Sequence, residues 1–213
     1  FNLNVKFHKP QVSFRETIAR AVEVTGECHR QMAGQMLFAK VRLRMEPTED
    51  GPQPVEVRAQ CDAEQLPSNA LPTVLEELKA RAEGGGLIAG YPLMKLRVTV
   101  LQLELDEENP DERAFRIAAN DAFNKGLTEG GKVLLEPIMK LDITTPEEYL
   151  GEFVGDLQQR RAVIARTDNR GAMTVIEAHT PLMELFGYSS AMLSLSQGRA
   201  GCSMEPLKYE AAP

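Results

Sequence analysis

Apolar and polar residues alternate with a period of two along much of the first half of the chain. This alternation predicts β-strands with one buried face and one solvent-exposed face. The pattern runs through a first segment of residues 5–7 and 12–14 and then through residues 20–30, 38–45 and 55–61, and it is most regular over 38–45. Short connections join the first three segments, so we expect them to pair as an antiparallel sheet.

Two helices and a further strand complete this first part. Apolar residues recur at helical spacing over 67–83, and Gly84 to Gly86 end the run. A strand is predicted over 93–105 and a second helix from 112 to about 125, with Gly126, Gly130 and Gly131 marking its exit. The first domain therefore covers residues 1–132.

The second part repeats strands and helices in a different order. We predict a strand over 135–143 and then a helix over 147–161, opened by Thr145 as N-cap with Glu148 at the capping-box spacing. The remaining elements are strands over 163–168 and 173–180, a helix over 190–197, in which Met192, Leu193 and Leu195 are expected in the core, and a strand over 203–209. This is the β-α-β-β-α-β order of a ferredoxin-like domain, covering residues 133–213. The fold class is therefore α+β with two domains.

Composition narrows the class of protein. The 213 residues are 43% hydrophobic and 26% charged, as in an ordinary globular protein with a core. No apolar run reaches the roughly 18–20 residues that span a bilayer, and no leader opens the chain. Three widely spaced cysteines, Cys28, Cys61 and Cys202, argue against a disulfide framework, so we expect a cytoplasmic protein. A net charge of −7 excludes a generic nucleic-acid binder, so any RNA contact must be local and depend on shape.

Motifs for catalysis or for cofactor binding are absent from the sequence pattern. The glycine cluster at Gly84 lacks the Lys-Ser/Thr ending of a phosphate-binding loop and follows a helix. Cys28 and His29 have no second ligand pair at a spacing typical of zinc sites. We therefore expect no catalytic, cofactor-binding or metal-ligating residue in this chain.

Three ordered motifs in the second part carry a family resemblance. The first combines Leu-Leu-Glu-Pro-Ile-Met-Lys from Leu134, Thr-Pro-Glu-Glu-Tyr from Thr145, Gly-Asp-Leu from Gly155 and the pair Arg160-Arg161. The second is Pro-Leu-Met-Glu-Leu-Phe-Gly-Tyr from Pro181, and the third is Ser-Gln-Gly-Arg from Ser196. In the first part, Lys-Pro-Gln-Val-Ser-Phe-Arg-Glu-Thr from Lys9 adds to them. Together these runs resemble the C-terminal domains of elongation factor G, a translational GTPase, and the resemblance covers essentially the whole chain.

The resemblance implies a specific architecture and role. Residues 1–132 would form a domain IV-like, ribosomal-protein-S5-domain-2-like β-α-β domain, and residues 133–213 a domain V-like, ferredoxin-like one. The chain would be the ribosome-binding portion of a GTPase that promotes GTP-driven tRNA–mRNA translocation, with GTP and magnesium bound elsewhere in the parent protein. Its partners would be ribosomal RNA and proteins and the tRNA–mRNA at the decoding centre, with no membrane, and it would act as a monomer.

Candidate contacts follow from the same resemblance. In the family, two loops of the first domain reach the decoding centre, and the candidates here are Arg30, Gln31, Gly34 and Gln35 in one loop and Asp106, Glu107 and Asn109 in the other. The candidates in the second domain are Arg160, Arg161, Gln197 and Arg199.

Several positions depart from the family pattern. Gly34, Gln35 and Met36 stand where the family has glycine-arginine-glycine, and Asp106 stands where it has histidine. An acidic loop that faces phosphates would be repelled. The alternatives are therefore a divergent paralogue that acts in ribosome recycling, protection or regulation without translocation, two ordinary hairpin loops without a function, or a metabolite-binding ferredoxin-like module.

Overall fold

The structure, a computed structural model, describes residues 12–32, 34–49, 51–62 and 66–213. The chain divides into two compact units, Arg15–Leu134 and Leu135–Pro213, the latter with residues 12–14 of the described part. Of the first predicted strand, residues 5–7 lie outside the described residues, whereas residues 12–14 are described and precede the first strand, which begins at Arg15. No helix among the described residues is long and apolar enough to cross a membrane.

The N-terminal unit combines a four-stranded sheet with two helices. Its elements are β1 (Arg15–Ile18), β2 (Val22–Met32), β3 (Gln35–Pro47), β4 (Val55–Ala59), α1 (Ala70–Glu83), β5 (Leu96–Leu105) and α2 (Glu112–Glu129). The sheet order is β2-β3-β5-β4. β2, β3 and β5 pair antiparallel, whereas β4 pairs parallel to β5 because α1 crosses over between them.

The core of this unit lies between the sheet and the two helices. Val41, Leu43 and Met45 on one face of β3 are fully buried, as the alternation predicts. α2 approaches β2 so closely at Gly26 that a Cβ there would lie 2.1 Å from the carbonyl oxygen of Ala118. A glycine in the middle of a strand is therefore required by helix packing.

The second helix ends at Glu129, four residues later than predicted. α2 continues through Gly126 to Glu129, because Gly126 is buried inside the helix, where a Cβ would lie 2.0 Å from the sulfur of Met45. Gly126 is therefore needed for close packing and does not mark the exit of the helix. The other two predicted exit residues are confirmed, since Gly130 is the C-cap and Gly131 turns the chain with a φ of 78°.

The C-terminal unit has the predicted β-α-β-β-α-β order. Its elements are β6 (Lys132–Pro146), α3 (Leu150–Gln159), β7 (Val163–Arg170), β8 (Met173–Pro181), α4 (Tyr188–Leu195) and β9 (Gly201–Ala211), with short 3-10 helices at Glu147–Tyr149 and Leu182–Leu185. The order β9-β6-β8-β7 is antiparallel throughout. The core contains Leu141, Ile143, Phe153, Leu157 and Ile176. The fold is therefore α+β with a ferredoxin-like second unit.

The predicted capping box at Thr145 is wrong. β6 stays paired with β8 as far as Pro146, which lies opposite Met173, so Thr145 is held in the sheet and fully buried. Its hydroxyl contacts the carbonyl of Pro146 at 3.4 Å and does not cap a helix. α3 begins only at Leu150, after the 3-10 turn.

Candidate functional site

The register of the N-terminal sheet places the two candidate loops at the same end of the unit. Met32 pairs with Gln35 at the tip of the β2–β3 hairpin, and the last pair between β3 and β5 joins Ala39 to Leu105. The hairpin therefore projects beyond the end of β5, where the loop of residues 106–111 begins. α2 starts beside this loop and extends for 18 residues, about 27 Å, toward the opposite end.

The hairpin tip is nearly uncharged. Arg30, Gln31, Gln35 and Met36 are exposed, and Gly34 turns the chain with a φ of 81°. Met36 is 52% exposed. Of the described residues from Arg30 to Met36, Arg30 alone is charged, so the tip offers amide and thioether groups rather than cations.

The second loop is acidic and internally ordered. The carboxylate of Asp106 accepts hydrogen bonds from the backbone N–H groups of Glu108 and Asn109 at 3.0 and 3.2 Å, forming an Asx turn. Asp111 caps α2 by accepting from the N–H of Arg113 at 2.8 Å. Hydrogen bonds from the Arg113 guanidinium, a larger effect than partial burial, lower the pKa of Asp111. Glu107 and Asn109 are exposed. The Asp106 carboxylate thus stabilises the conformation of its own loop. The sequence pattern did not predict this role.

Two adjacent arginines at the end of α3 bind within the fold. The Arg160 guanidinium contacts Asp156 at 2.8 Å and the carbonyl of Glu184 at 2.6 Å, and it lies 4.9 Å from the centre of the Tyr188 ring. Arg161 has a φ of 57° and bonds the carboxylate of Glu136 at 2.5 Å. The Glu136 side chain is only 4% exposed, so Arg161 neutralises a buried charge.

The other two candidates of this unit are available at the surface. Gln197 is exposed in the turn after α4, with a φ of 53°. Arg199 stacks over the Tyr149 ring at 4.8 Å and pairs with Glu148 at 2.7 Å, yet its side chain remains 51% exposed. The expectation that Leu193 belongs to the core is wrong, since it is 51% exposed on the outer side of α4. Gln197, Arg199 and Leu193 therefore offer a mixed polar and apolar surface.

Family models match both units in order. Residues 10–131 match the model for elongation factor G, domain IV, and residues 133–213 match the model for the elongation factor G C-terminus. The fold and the two projecting loops thus define a two-domain C-terminal module of a translation elongation factor. The chain belongs to the elongation factor G family.

Individual relatives agree with this assignment. The chain is 41% identical to elongation factor G of Thermotoga neapolitana over 214 residues and 39% identical to that of Fervidobacterium nodosum over 213 residues. These matches cover 100% of this chain but only 31% and 30% of the relatives, so it spans about a third of their length. A crystal structure of a protein from Thermus thermophilus matches 98% of this chain and 31% of its own, with a TM-score of 0.79 and 32% identity.

Proposed function

We propose that this chain is the ribosome-binding C-terminal portion of an elongation-factor-G-like GTPase that promotes GTP-driven movement of tRNA and mRNA in the cytoplasm. The observation that carries the proposal is the match of both units, in order and over the whole chain, to elongation factor G domains. GTP and magnesium would be held by the nucleotide-binding part of the parent protein, which would bind the ribosome as a monomer.

The geometry of the N-terminal unit supports a mechanical role. The hairpin and the acidic loop project from one end of a sheet whose core residues are fully buried, and α2 runs the length of the unit behind them. A packed sheet and helix resist deformation, so a force applied at one end is transmitted to the other. The tip would contact the tRNA–mRNA at the decoding centre. Gln197 and Arg199 would contact ribosomal RNA or protein.

The negative charge of the loop of residues 106–111 favours a second candidate, a paralogue that binds the ribosome for recycling, protection or regulation without moving tRNA. Asp106, Glu107, Glu108 and Asp111 face an approaching phosphate with negative charge, and of these four only Asp111 forms an ion pair with another described residue, Arg113 of α2. A single carboxylate and phosphate 4 Å apart repel by about 1 kcal/mol in water and about 4 kcal/mol near a protein surface. This repulsion would weaken contact between the tip and the decoding centre.

Co-sedimentation of the full-length protein with ribosomes, with GTP or a non-hydrolysable analogue, tests both candidates. We expect nucleotide-dependent binding, and toeprinting would then show whether mRNA moves. Movement by the wild-type protein supports the translocase. Binding without movement, with movement gained by an Asp106→His and Gln35→Arg double variant, supports the paralogue. Glu152→Gln, which removes an exposed acidic group on α3, serves as the matched control. No binding under any condition would overturn both.

A further inference from the structure

The β2–β3 hairpin has a helix side and an outer side, and the acidic loop joins the unit on the helix side. Cys28 and Leu37 are buried toward the helices. Burial raises the pKa of the Cys28 thiol, and the charges of Arg30 and Asp111 shift it in opposite directions, so both charged groups lie near this buried side chain. Asp111 ends the acidic loop and caps α2. The outer side of the hairpin therefore faces away from the residue through which that loop reaches α2.

Cross-strand pairs on the outer side form a ladder that runs from the tip toward the middle of the sheet. The register gives three such pairs, Gln31 with Met36, His29 with Phe38, and Glu27 with Lys40. They alternate along both strands with the residues buried toward the helices, so their side chains share the outer face. The sequence from His29 to Phe38 contains no acidic residue. The part of the ladder nearer the tip thus offers an amide, a thioether and two aromatic rings.

The rings of His29 and Phe38 are in contact. Their centroids lie 6.1 Å apart and their planes are at 89°, an edge-to-face arrangement. The Lys40 ammonium lies 5.8 Å from the centre of the Phe38 ring, at the strand position two residues further from the tip. His29 is exposed and Phe38 is half-buried. Two rings are thus held in a defined orientation while part of their surface remains open to solvent.

The charges near the two rings do not favour a phosphate. The Lys40 ammonium lies 3.9 Å from the Glu27 carboxylate, and the register places Glu104 of β5 opposite Lys40 on the same face. Two carboxylates therefore accompany one cation. A nucleobase, by contrast, stacks on an aromatic ring through its uncharged face. The outer ladder is suited to a base rather than to a phosphate, which agrees with the net charge of −7.

We propose that His29 and Phe38 form a stacking site for an unpaired base of ribosomal RNA. The inference rests on the proposed function, which brings the hairpin to the decoding centre. The two rings lie three residues behind the Met32–Gln35 pair at the tip, a distance of about 10 Å. A tip that contacts tRNA and mRNA therefore holds these rings against the ribosomal RNA that surrounds them.

An unpaired base fits this site for two reasons. A base inside an RNA duplex is stacked on both faces, whereas a base in a loop or bulge offers a free face to an aromatic side chain. Two rings at 89° form a corner, so a base that stacks on one ring meets the edge of the other. Met36 is two residues nearer the tip than Phe38 and adds a polarisable apolar side chain on the same face.

Co-sedimentation of the full-length protein with ribosomes and a non-hydrolysable GTP analogue measures the contribution of stacking. Phe38→Leu keeps an apolar side chain but removes the ring, so it should weaken binding about tenfold. Phe38→Tyr keeps a ring and should bind like the wild type. Glu27→Gln is the matched control, because it removes an ion pair from the same face without changing a ring, and it should not weaken binding. Circular dichroism checks that each variant is folded.

Replacement of Phe38 by p-benzoylphenylalanine identifies what the ring contacts. This photoreactive side chain bonds covalently to a group next to it on illumination, and primer extension then maps the cross-linked nucleotide. We expect a cross-link to an unpaired base of ribosomal RNA. A cross-link to tRNA, to mRNA or to a ribosomal protein instead would overturn the proposal, as would a bound variant that gives no cross-link to RNA.

The affinities separate stacking from a structural role of the ring. Phe38→Leu binding as tightly as the wild type would overturn the proposal, and so would Phe38→Tyr binding as weakly as Phe38→Leu. In each of these cases the wild-type protein still binds ribosomes, so the proposed function stands without the stacking site. A wild-type protein that does not sediment with ribosomes would overturn both.

Discussion

Replacing Glu16 by glutamine should destabilise the N-terminal unit by about 2–4 kcal/mol. Glu16 lies in β1 and is 2% exposed. Its carboxylate accepts hydrogen bonds from the backbone N–H groups of Ile88, Ala89 and Tyr91 at 2.8, 2.9 and 3.0 Å. A single carboxylate thus organises the whole loop between α1 and β5.

The magnitude follows from which oxygen serves which donor. One oxygen accepts from Ala89 and Tyr91, and the other accepts from Ile88. The amide of glutamine keeps the first oxygen but turns an NH₂ group toward Ile88, which leaves a buried donor without an acceptor at about 1–3 kcal/mol. The two remaining bonds lose their charge assistance, which is about half of their strength.

The pH dependence has a definite sign. Burial alone would raise the pKa of Glu16, but hydrogen bonds from the backbone N–H groups around residues 87–91 outweigh it and lower the pKa. A carboxylate with a lowered folded pKa contributes stability above its unfolded pKa of about 4.3, and this is lost as the pH falls through the folded value. The difference between wild type and Glu16→Gln should therefore be constant near neutral pH and shrink below about pH 4.

Urea unfolding followed by circular dichroism measures the free energy of unfolding, and amide hydrogen exchange at Ile88, Ala89 and Tyr91 localises the effect. Glu83→Gln is the matched control, because Glu83 is exposed and should change the free energy by less than about 0.5 kcal/mol. A Glu16→Gln variant as stable as this control, or a difference that persists unchanged at low pH, would refute the reasoning.

Three further predictions concern packing and the basic residues. Gly26→Ala should cost about 3 kcal/mol, visible as a lower melting temperature, because its Cβ meets the backbone of α2; an unchanged melting temperature would contradict the contact. Arg161→Ala should cost about 1–3 kcal/mol in urea unfolding, because it leaves Glu136 buried without a partner, and restoration by Arg161→Lys would show that the charge matters. Arg160→Ala should lower the free energy of unfolding by about 1–2 kcal/mol without weakening ribosome co-sedimentation. Arg199→Ala should instead weaken ribosome co-sedimentation and leave the free energy of unfolding unchanged. Equal effects of the two variants on ribosome binding would contradict this division.

The sequence alone determined the order and kind of the elements. A period of two in residues 38–45 and helical spacing in residues 67–83 follow from burying one face of a strand or helix, which is a local property of the chain. The same patterns predicted the ferredoxin-like order of the second unit. The resemblance to the family then predicted which loops to consider.

Tertiary structure alone decided what individual residues do. Glu16 follows the same strand pattern as any polar residue, and only its contact with residues 88–91, more than seventy positions away, makes it a buried anchor. Gly126 resembles a helix terminator until Met45 is packed against it. Arg160 and Arg199 are both arginines in family motifs, yet one is bound inside the fold and the other remains half exposed. The physical reason is that periodicity specifies which face of an element is buried, whereas partners distant in sequence specify what each side chain meets there.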